Sequence, residues 1–367
     1  MKLKPFLEAF GIVAVVLSLF PFVAADYWWI RIFDYPHVQL TILTLVALLV
    51  YFFRFDLKSW RDYTFVAVLA GCLLLQLTKI YPYTFLSPKQ VKKNTAVHPQ
   101  QAISILASNV LQKNDKYERV LEEVLRKDPD LLIFTETDRI WRDELKKGLQ
   151  GFGYDYKVET PLSNTYGMLL YSKLPLINPQ VRFLLEDSIP SMHGRLKMPS
   201  GELVELHILH PTPPMPPHDE SSTDRDAQMM MVAKMAKNAK LPVIVAGDFN
   251  DVAWSESTSL FLNVSTLLDP RKGRGFYNTF NAKNWLMRWP LDHLFVSEDF
   301  RLVEMEVGRD VGSDHFPLYA KLMLEPAKAE EQESPEPTQK EMEEAEEQIE
   351  KEEKKDAKEK AEAASKG

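Results

Sequence analysis

The chain has 367 residues, enough for more than one domain, and a formal net charge of −8 at pH 7. That charge is concentrated at the end, where Pro326–Gly367 holds 15 Asp/Glu against 8 Lys, so the rest is close to neutral. A dedicated duplex-binding domain carries a basic excess that is missing here, and the single cysteine, Cys72, excludes an intrachain disulfide while saying little about compartment.

Residues 1–82 read as a transmembrane region. The apolar runs Phe6–Ala25, Val38–Phe53 and Phe65–Ile80 are long and nearly free of charge, which predicts about three membrane-spanning helices. A soluble domain made of such runs would have too little polar surface. The first run also resembles a cleavable signal peptide, through Met1-Lys2-Leu3-Lys4 and Val23-Ala24-Ala25. Its apolar stretch is long for a signal, which favours an uncleaved helix. Lys2 and Lys4 precede the first run, and Arg54, Lys58 and Arg61 separate the second from the third. The intervening loop carries only Arg31, with Tyr27, Trp28 and Trp29 as interfacial anchors. Positive-inside bias then places the N-terminus in the cytoplasm and everything after residue 82 outside, a multi-pass protein of the cell membrane. Lys89, Lys92 and Lys93 argue mildly the other way.

Residues 83–101 read as a linker, and 102–325 as a globular α/β domain. Strands are expected at Ile103–Ala107, Asp130–Thr135, Gly167–Tyr171, Leu203–Leu209, Val243–Gly247, Leu291–Val296 and Leu318–Leu324. Helices are expected at Asp115–Lys127 and Ser222–Asn238. Strands outnumber helices and sometimes follow one another directly, which points to packed sheets flanked by helices. Residues 326–367 are rich in Glu, Lys and Ala without an apolar stripe, and read as a disordered tail or a solvated single helix supported by pairs such as Glu350–Lys354.

Polar residues gather at the strand ends. The first strand runs into Asn109, the second into Glu136, and the strand closing at Leu209 meets His210 and a proline-rich turn. Val243–Asp251 is an apolar run into Gly247, with Asp248 and Asn250 expected on the same side of an extended segment. Leu291-Asp292-His293 opens a strand, and Gly312-Ser313-Asp314-His315 precedes the last one. Singly, each has an ordinary structural explanation as a cap, an Asx turn or a core histidine. As a set they offer chemistry. Asn109, Glu136, Asp248, Asn250 and Asp314 are hard oxygen donors suited to Mg²⁺, whereas His210 and His315 could contact phosphate oxygens or move protons.

In this order Asn109, Glu136, His210, Gly247-Asp248-Phe249-Asn250, Leu291-Asp292-His293 and Gly312-Ser313-Asp314-His315 resemble the motif set of the endonuclease/exonuclease/phosphatase superfamily. That group includes pancreatic-type deoxyribonucleases, apurinic endonucleases, neutral sphingomyelinases and inositol phosphatases. The resemblance covers Ala102–Leu324 and implies a two-sheet β-sandwich with helices on both outer faces. It also implies Mg²⁺ or Mn²⁺ held by Glu136 with Asn109 and Asp314 nearby. Asp248 and Asn250 would lie at the scissile phosphate, with Asp248 activating water. His315, oriented by Asp292, and His210 would contact phosphate or transfer protons, which histidine is acid and which base being left open. His207, three residues before His210, makes the register of that motif ambiguous, and His210 is preferred because it closes the apolar strand. His293 stands where many relatives have an aromatic residue and is expected in the core. Arg225 and Gln228 also resemble family positions, with packing or a surface place the simpler reading.

The expected function is a membrane-anchored, metal-dependent phosphoesterase acting on a nucleic acid, a phospholipid or a small phosphate ester, with the bilayer as partner and no clear protein partner. The alternatives are a degenerate binding or scaffold domain with an acidic contact arm, and a transporter or channel built from the apolar region. Apolar runs without central charges make a poor permeation path.

Overall fold

The computed structural model describes residues 3–20, 32–95, 98–213 and 223–366. Val23-Ala24-Ala25 and the Tyr27–Trp29 anchors lie outside the described residues. The apolar runs form helices α1 (Leu3–Leu19), α2 (His37–Tyr51) and α3 (Trp60–Ile80), packed on one another through Ala14, Ala47 and Leu69. Polar side chains between them turn inward, with the Gln76 amide donating to Ser18 Oγ at 2.5 Å and Ser18 Oγ lying 3.1 Å from Thr44 Oγ1. At the end remote from the rest of the chain Lys4 pairs with Asp62 at 2.7 Å. The outward surface is apolar, exposing Phe6, Ile12, Val16, Ile42, Leu49, Val68 and Leu74. This inverts the pattern of a soluble bundle. Two stretches, His37–Arg54 and Trp60–Tyr83, are long and apolar enough by length and composition to cross a membrane. Helix α1 has 17 residues, and the last five residues of the run that predicts it, 21–25, lie outside the described residues.

The remainder is the expected α/β sandwich. One mixed sheet has the order β10-β11-β1-β2-β4-β3, from Phe300–Val307, Leu318–Leu324, Ala102–Asn109, Leu131–Thr135, Met168–Ser172 and Tyr156–Thr160. The other has the order β5-β6-β7-β8-β9, from Leu176–Phe183, Pro190–Lys197, Leu203–Leu209, Val243–Asp248 and Asp292–Val296. Within each sheet one pair is parallel, β1 with β2 and β7 with β8. Strand alternation explains the layers. Ile103, Ile105, Leu131, Ile133, Ile244 and Ala246 face the core between the sheets. Leu106, Leu132 and Phe134 face outward onto α4 (Tyr117–Lys127) and α5 (Arg139–Gly148). Val245 and Phe295 face α6 (Thr223–Lys237) and α7 (Glu256–Ser265). The seven expected strands and two expected helices are present; α5, α7, β3, β5, β6 and β10 are additions.

Two segments depart from the sequence reading. The expected linker is held against the domain: Val91 is fully buried in the inter-sheet core, Leu302 N donates to the Lys92 carbonyl at 3.0 Å, and Tyr83 packs with Trp254 and Leu291. Its prolines and lysines mask these scattered apolar anchors. The Glu/Lys-rich tail is also docked. Its helix α8 (Gln339–Lys366) lays Met342, Ala345 and Ile349 on α6 and α7. Those residues sit at i, i+3 and i+7, a narrow stripe that the surrounding charge conceals.

Candidate active site

The strand ends converge at one edge of the sandwich, and Asp248 is at their centre. It terminates β8, and its carboxylate is only 1% exposed. Asn109, the last residue of β1 in the opposite sheet, reaches across with its amide to Asp248 Oδ2 at 2.9 Å and to Glu136 Oε1 at 2.8 Å. Its own Oδ1 accepts Leu111 N at 3.0 Å. Glu136 follows β2 with φ 58°, a backbone conformation that costs a non-glycine residue energy and is held here by these contacts. Gly247 is required for a similar reason: at φ 139° a Cβ would collide with the Leu209 carbonyl of the paired strand.

His210 and His315 flank the Asp248 carboxylate, their Nε2 atoms 3.8 and 3.7 Å from Oδ2. His315 is oriented from behind by Asp292, whose Oδ2 accepts from Nδ1 at 2.8 Å, and from its own backbone by Ser313 Oγ at 3.0 Å. Burial alone would push the imidazolium down, but the Asp292 and Asp248 carboxylates outweigh it and raise His315 to about 10. His210 Nδ1 is buried without a hydrogen-bond partner among the described residues.

Asn250 departs from the extended geometry that would put it beside Asp248. The strand ends at Asp248, Asn250 takes φ 51°, and its N–H donates back to Asp248 Oδ1 at 2.9 Å, an Asx turn. The Asn250 amide holds the Pro211 carbonyl at 2.9 Å, tying the turn to the segment after His210. Asp314 lies on the His315 turn, its carboxylate accepting from Ser313 Oγ at 3.4 Å and its carbonyl from Ala282 N at 2.7 Å.

His207 faces elsewhere. Its Nδ1 meets His193 Nδ1 at 2.8 Å, and burial lowers His207 to about 4. His293 is in the core as expected, against Phe249 and Phe295, with Nδ1 2.7 Å from Arg271, and burial followed by that cation pushes it well down. Arg225 is more than packing. It is buried, paired with Asp226 at 2.8 Å, and donates to the Asn250 carbonyl at 3.1 Å. Tyr35 donates to the same carbonyl at 2.7 Å from the segment before α2. Nothing in the local sequence around Tyr35 signals that contact.

The donor set suits a hard divalent cation. Glu136 is half-buried, its Oε2 accepting a long hydrogen bond from Gln112 N at 3.4 Å, beside the fixed oxygens of Asp248. Asp248, Asp292 and His315 also bring one potential ligand atom each within 4.8 Å of one another. His315 already spends Nδ1 on Asp292, which leaves only Nε2 of its ring free for another partner.

The pattern of the endonuclease/exonuclease/phosphatase family matches residues 105–315, more than half of the chain, which therefore belongs to that family. A comparison with curated proteins gives no match. Among solved structures, the human Nocturnin catalytic domain with bound sulfate is similar at TM-score 0.51 and 18% identity, covering 66% of this chain and 99% of that one. A mannosyl-6-phosphatase of Bacteroides thetaiotaomicron is similar at TM-score 0.50 and 19% identity over 60% of this chain and all (100%) of that one. TDP2 of D. rerio, complexed with a single-strand DNA product, is similar at TM-score 0.50 and 17% identity over 60% and 98%. At these identities the likeness is one of fold.

Proposed function

We propose that this protein is a membrane-anchored, divalent-metal-dependent phosphoesterase that cleaves a phosphate ester by attack of water. The observation carrying the reading is the Asp248 carboxylate, buried between two histidine Nε2 atoms and fixed by Asn109 from the opposite sheet. Asp248 takes the proton of the attacking water. The His315 imidazolium, held by Asp292, and His210 neutralise charge on the phosphoryl oxygens or protonate the leaving group. Asn250 and Pro211 keep the His210 and Asp248 segments in register. Glu136, with Asn109 and Asp314 nearby, would hold Mg²⁺ or Mn²⁺, which when bound supplies Lewis-acid stabilisation of that same charge.

The anchoring reading rests on the bundle. Only 33% and 22% of the two longer apolar stretches are buried, whereas a soluble protein's core helices bury most of their surface. Arg54, Lys58 and Arg61 join Lys4 at the end of the bundle remote from the domain. Positive-inside bias then puts the catalytic domain on the extracytoplasmic side. The test is hydrolysis by the purified full chain, with Mg²⁺ or Mn²⁺, of plasmid DNA, phospholipid vesicles and a chromogenic phosphodiester. At least one is cleaved, and the activity disappears with chelator and in Asp248→Ala and His315→Ala; activity untouched by both substitutions refutes the site. A reporter fused at residue 325 that works only in the cytoplasm refutes the sidedness.

A further inference from the structure

Beside the site, the chain from Thr279 to Trp289 forms a short hairpin whose tip, Trp285-Leu286-Met287, is 81%, 56% and 41% exposed. Three consecutive large apolar side chains projecting from a surface call for a partner phase. The base of the hairpin is built into the catalytic centre. Ala282 N donates to the Asp314 carbonyl at 2.7 Å, Phe316 N to the Thr279 carbonyl at 2.8 Å, and Asp292 N to Thr279 Oγ1 at 3.2 Å. The Phe280 ring lies 4.9 Å from the His315 ring.

The same hairpin touches the start of α2. Gln39, in the first turn of that helix, donates its amide to the Leu286 carbonyl at 2.8 Å, and Tyr35 packs edge-on against Trp289 at 5.5 Å. By the reading above, α2 enters the bilayer here, so the tip stands at the membrane boundary. Its chemistry fits that boundary. Trp and Leu favour the interface, and Lys283 and Arg288 flank them, Arg288 lying 4.9 Å over the Phe316 ring.

We propose that the 279–289 hairpin seats in the outer surface of the bilayer and holds the catalytic centre over it, so that the substrate is a phosphate ester in the headgroup of a membrane lipid. The inference rests on the phosphoesterase reading for its substrate and on the spans for its geometry. Hairpin and site are joined by backbone hydrogen bonds, so seating the tip fixes the height of His315 and Asp248 above the headgroups. A substrate diffusing in the membrane plane would reach the site without leaving the lipid phase.

The experiment uses the full chain reconstituted in anionic phospholipid vesicles and separates seating from substrate. Trp285→Cys, in a Cys72→Ser background, carries an environment-sensitive dye, and spin-labelled lipids quench it if the tip is seated. Hydrolysis of the vesicle phospholipid is compared with that of a soluble chromogenic phosphodiester, in wild type and in Trp285→Ser/Leu286→Ser. The expected result is a quenched dye, with lipid hydrolysis falling tenfold or more in the double variant and soluble-substrate hydrolysis changing less than twofold. An unquenched dye overturns the seating. A quenched dye with cleavage of the soluble ester but not the lipid overturns the substrate class. No hydrolysis of any substrate overturns the phosphoesterase reading itself, and with it the lipid substrate, while the dye still decides the seating.

Discussion

Asp248→Asn is the sharpest single probe of the site, because the replacement has nearly the same shape and only the charge and the donor pattern change. The carboxylate is 1% exposed and accepts from Asn109 Nδ2 and from Asn250 N, each at 2.9 Å. An amide in its place must turn its NH₂ toward one of these donors. Either orientation sets donor against donor in a buried position, a penalty of about 1–3 kcal/mol. For a domain of this size that lowers the melting temperature by roughly 2–12 °C. The catalytic loss is separate and larger. An amide cannot accept the water proton, and loss of a positioned general base costs about 10²–10⁴ in rate. Three decades in kcat/KM correspond to about 4 kcal/mol of lost transition-state stabilisation. The assay pairs calorimetry with metal-dependent hydrolysis of the best substrate. A variant that keeps more than about a tenth of the wild-type rate would refute the assignment of Asp248 as base, since general-base loss is worth at least about a hundredfold.

Other consequences are accessible to the same preparations. Glu136→Gln should raise the metal concentration for half-activation by at least the roughly 10–100-fold that losing an outer partner costs, read from Mg²⁺ and Mn²⁺ titrations. Ile349→Ala should loosen α8, because Ile349 is only 7% exposed and such deletions cost about 2–5 kcal/mol; faster proteolytic release of α8 checks this. The docking of α8 should also depend on pH. Glu352, on that helix, is raised from the ordinary 4.5 to about 7, first by burial and then by Asp224. The docked state therefore prefers the proton, so this contribution is complete below about 4.5 and is lost as pH rises through about 7. Proteolytic release should accelerate over that interval in the wild type relative to Glu352→Gln.

What the sequence made legible follows from what periodicity and chemistry report. Val243–Asp248 and Leu203–Leu209 are apolar runs closed by turn residues, and both are strands. Asn109, His210, Asp292 and His315 meet at Asp248 because each ends or precedes a strand at the same edge of the sandwich. Asn250 was misplaced because alternation holds only while the strand lasts, and its φ of 51° takes it out of the pleat. β5, with Asn178 at φ 49° and a register shift after Ile177, and the solvent-facing β3 lack the apolar run that marks a buried strand. The docked tail escaped because its few apolar contacts, Met342, Ala345 and Ile349, are spaced out among many charges. Pairings between distant segments, such as Tyr35 with Asn250, leave no local pattern at all.

Those distant pairings bear on what the helical region does. The turn carrying Asn250 is held by Arg225 from α6 and by Tyr35 from the segment leading into α2, both on one carbonyl. The next residues along, Val252–Trp254, pack against Tyr83, with Tyr83 Oη donating to the Ala253 carbonyl at 2.5 Å and Trp254 Nε1 to the Asp34 carbonyl at 2.7 Å. Removing residues before 96 would take away Tyr35, Tyr83 and Val91, uncovering Trp254 beside the Asp248 turn and opening the inter-sheet core beside Leu302, toward the far end of the strands. A passive anchor would attach through a free tether and leave the site indifferent to it. Here the segment leading into α2 supplies a hydrogen bond on the Asn250 carbonyl, and Tyr83 after α3 supplies part of the wall behind the Asp248 turn. The geometry of the candidate site is thus a property of the whole chain, and the helical region belongs to the structure of the site.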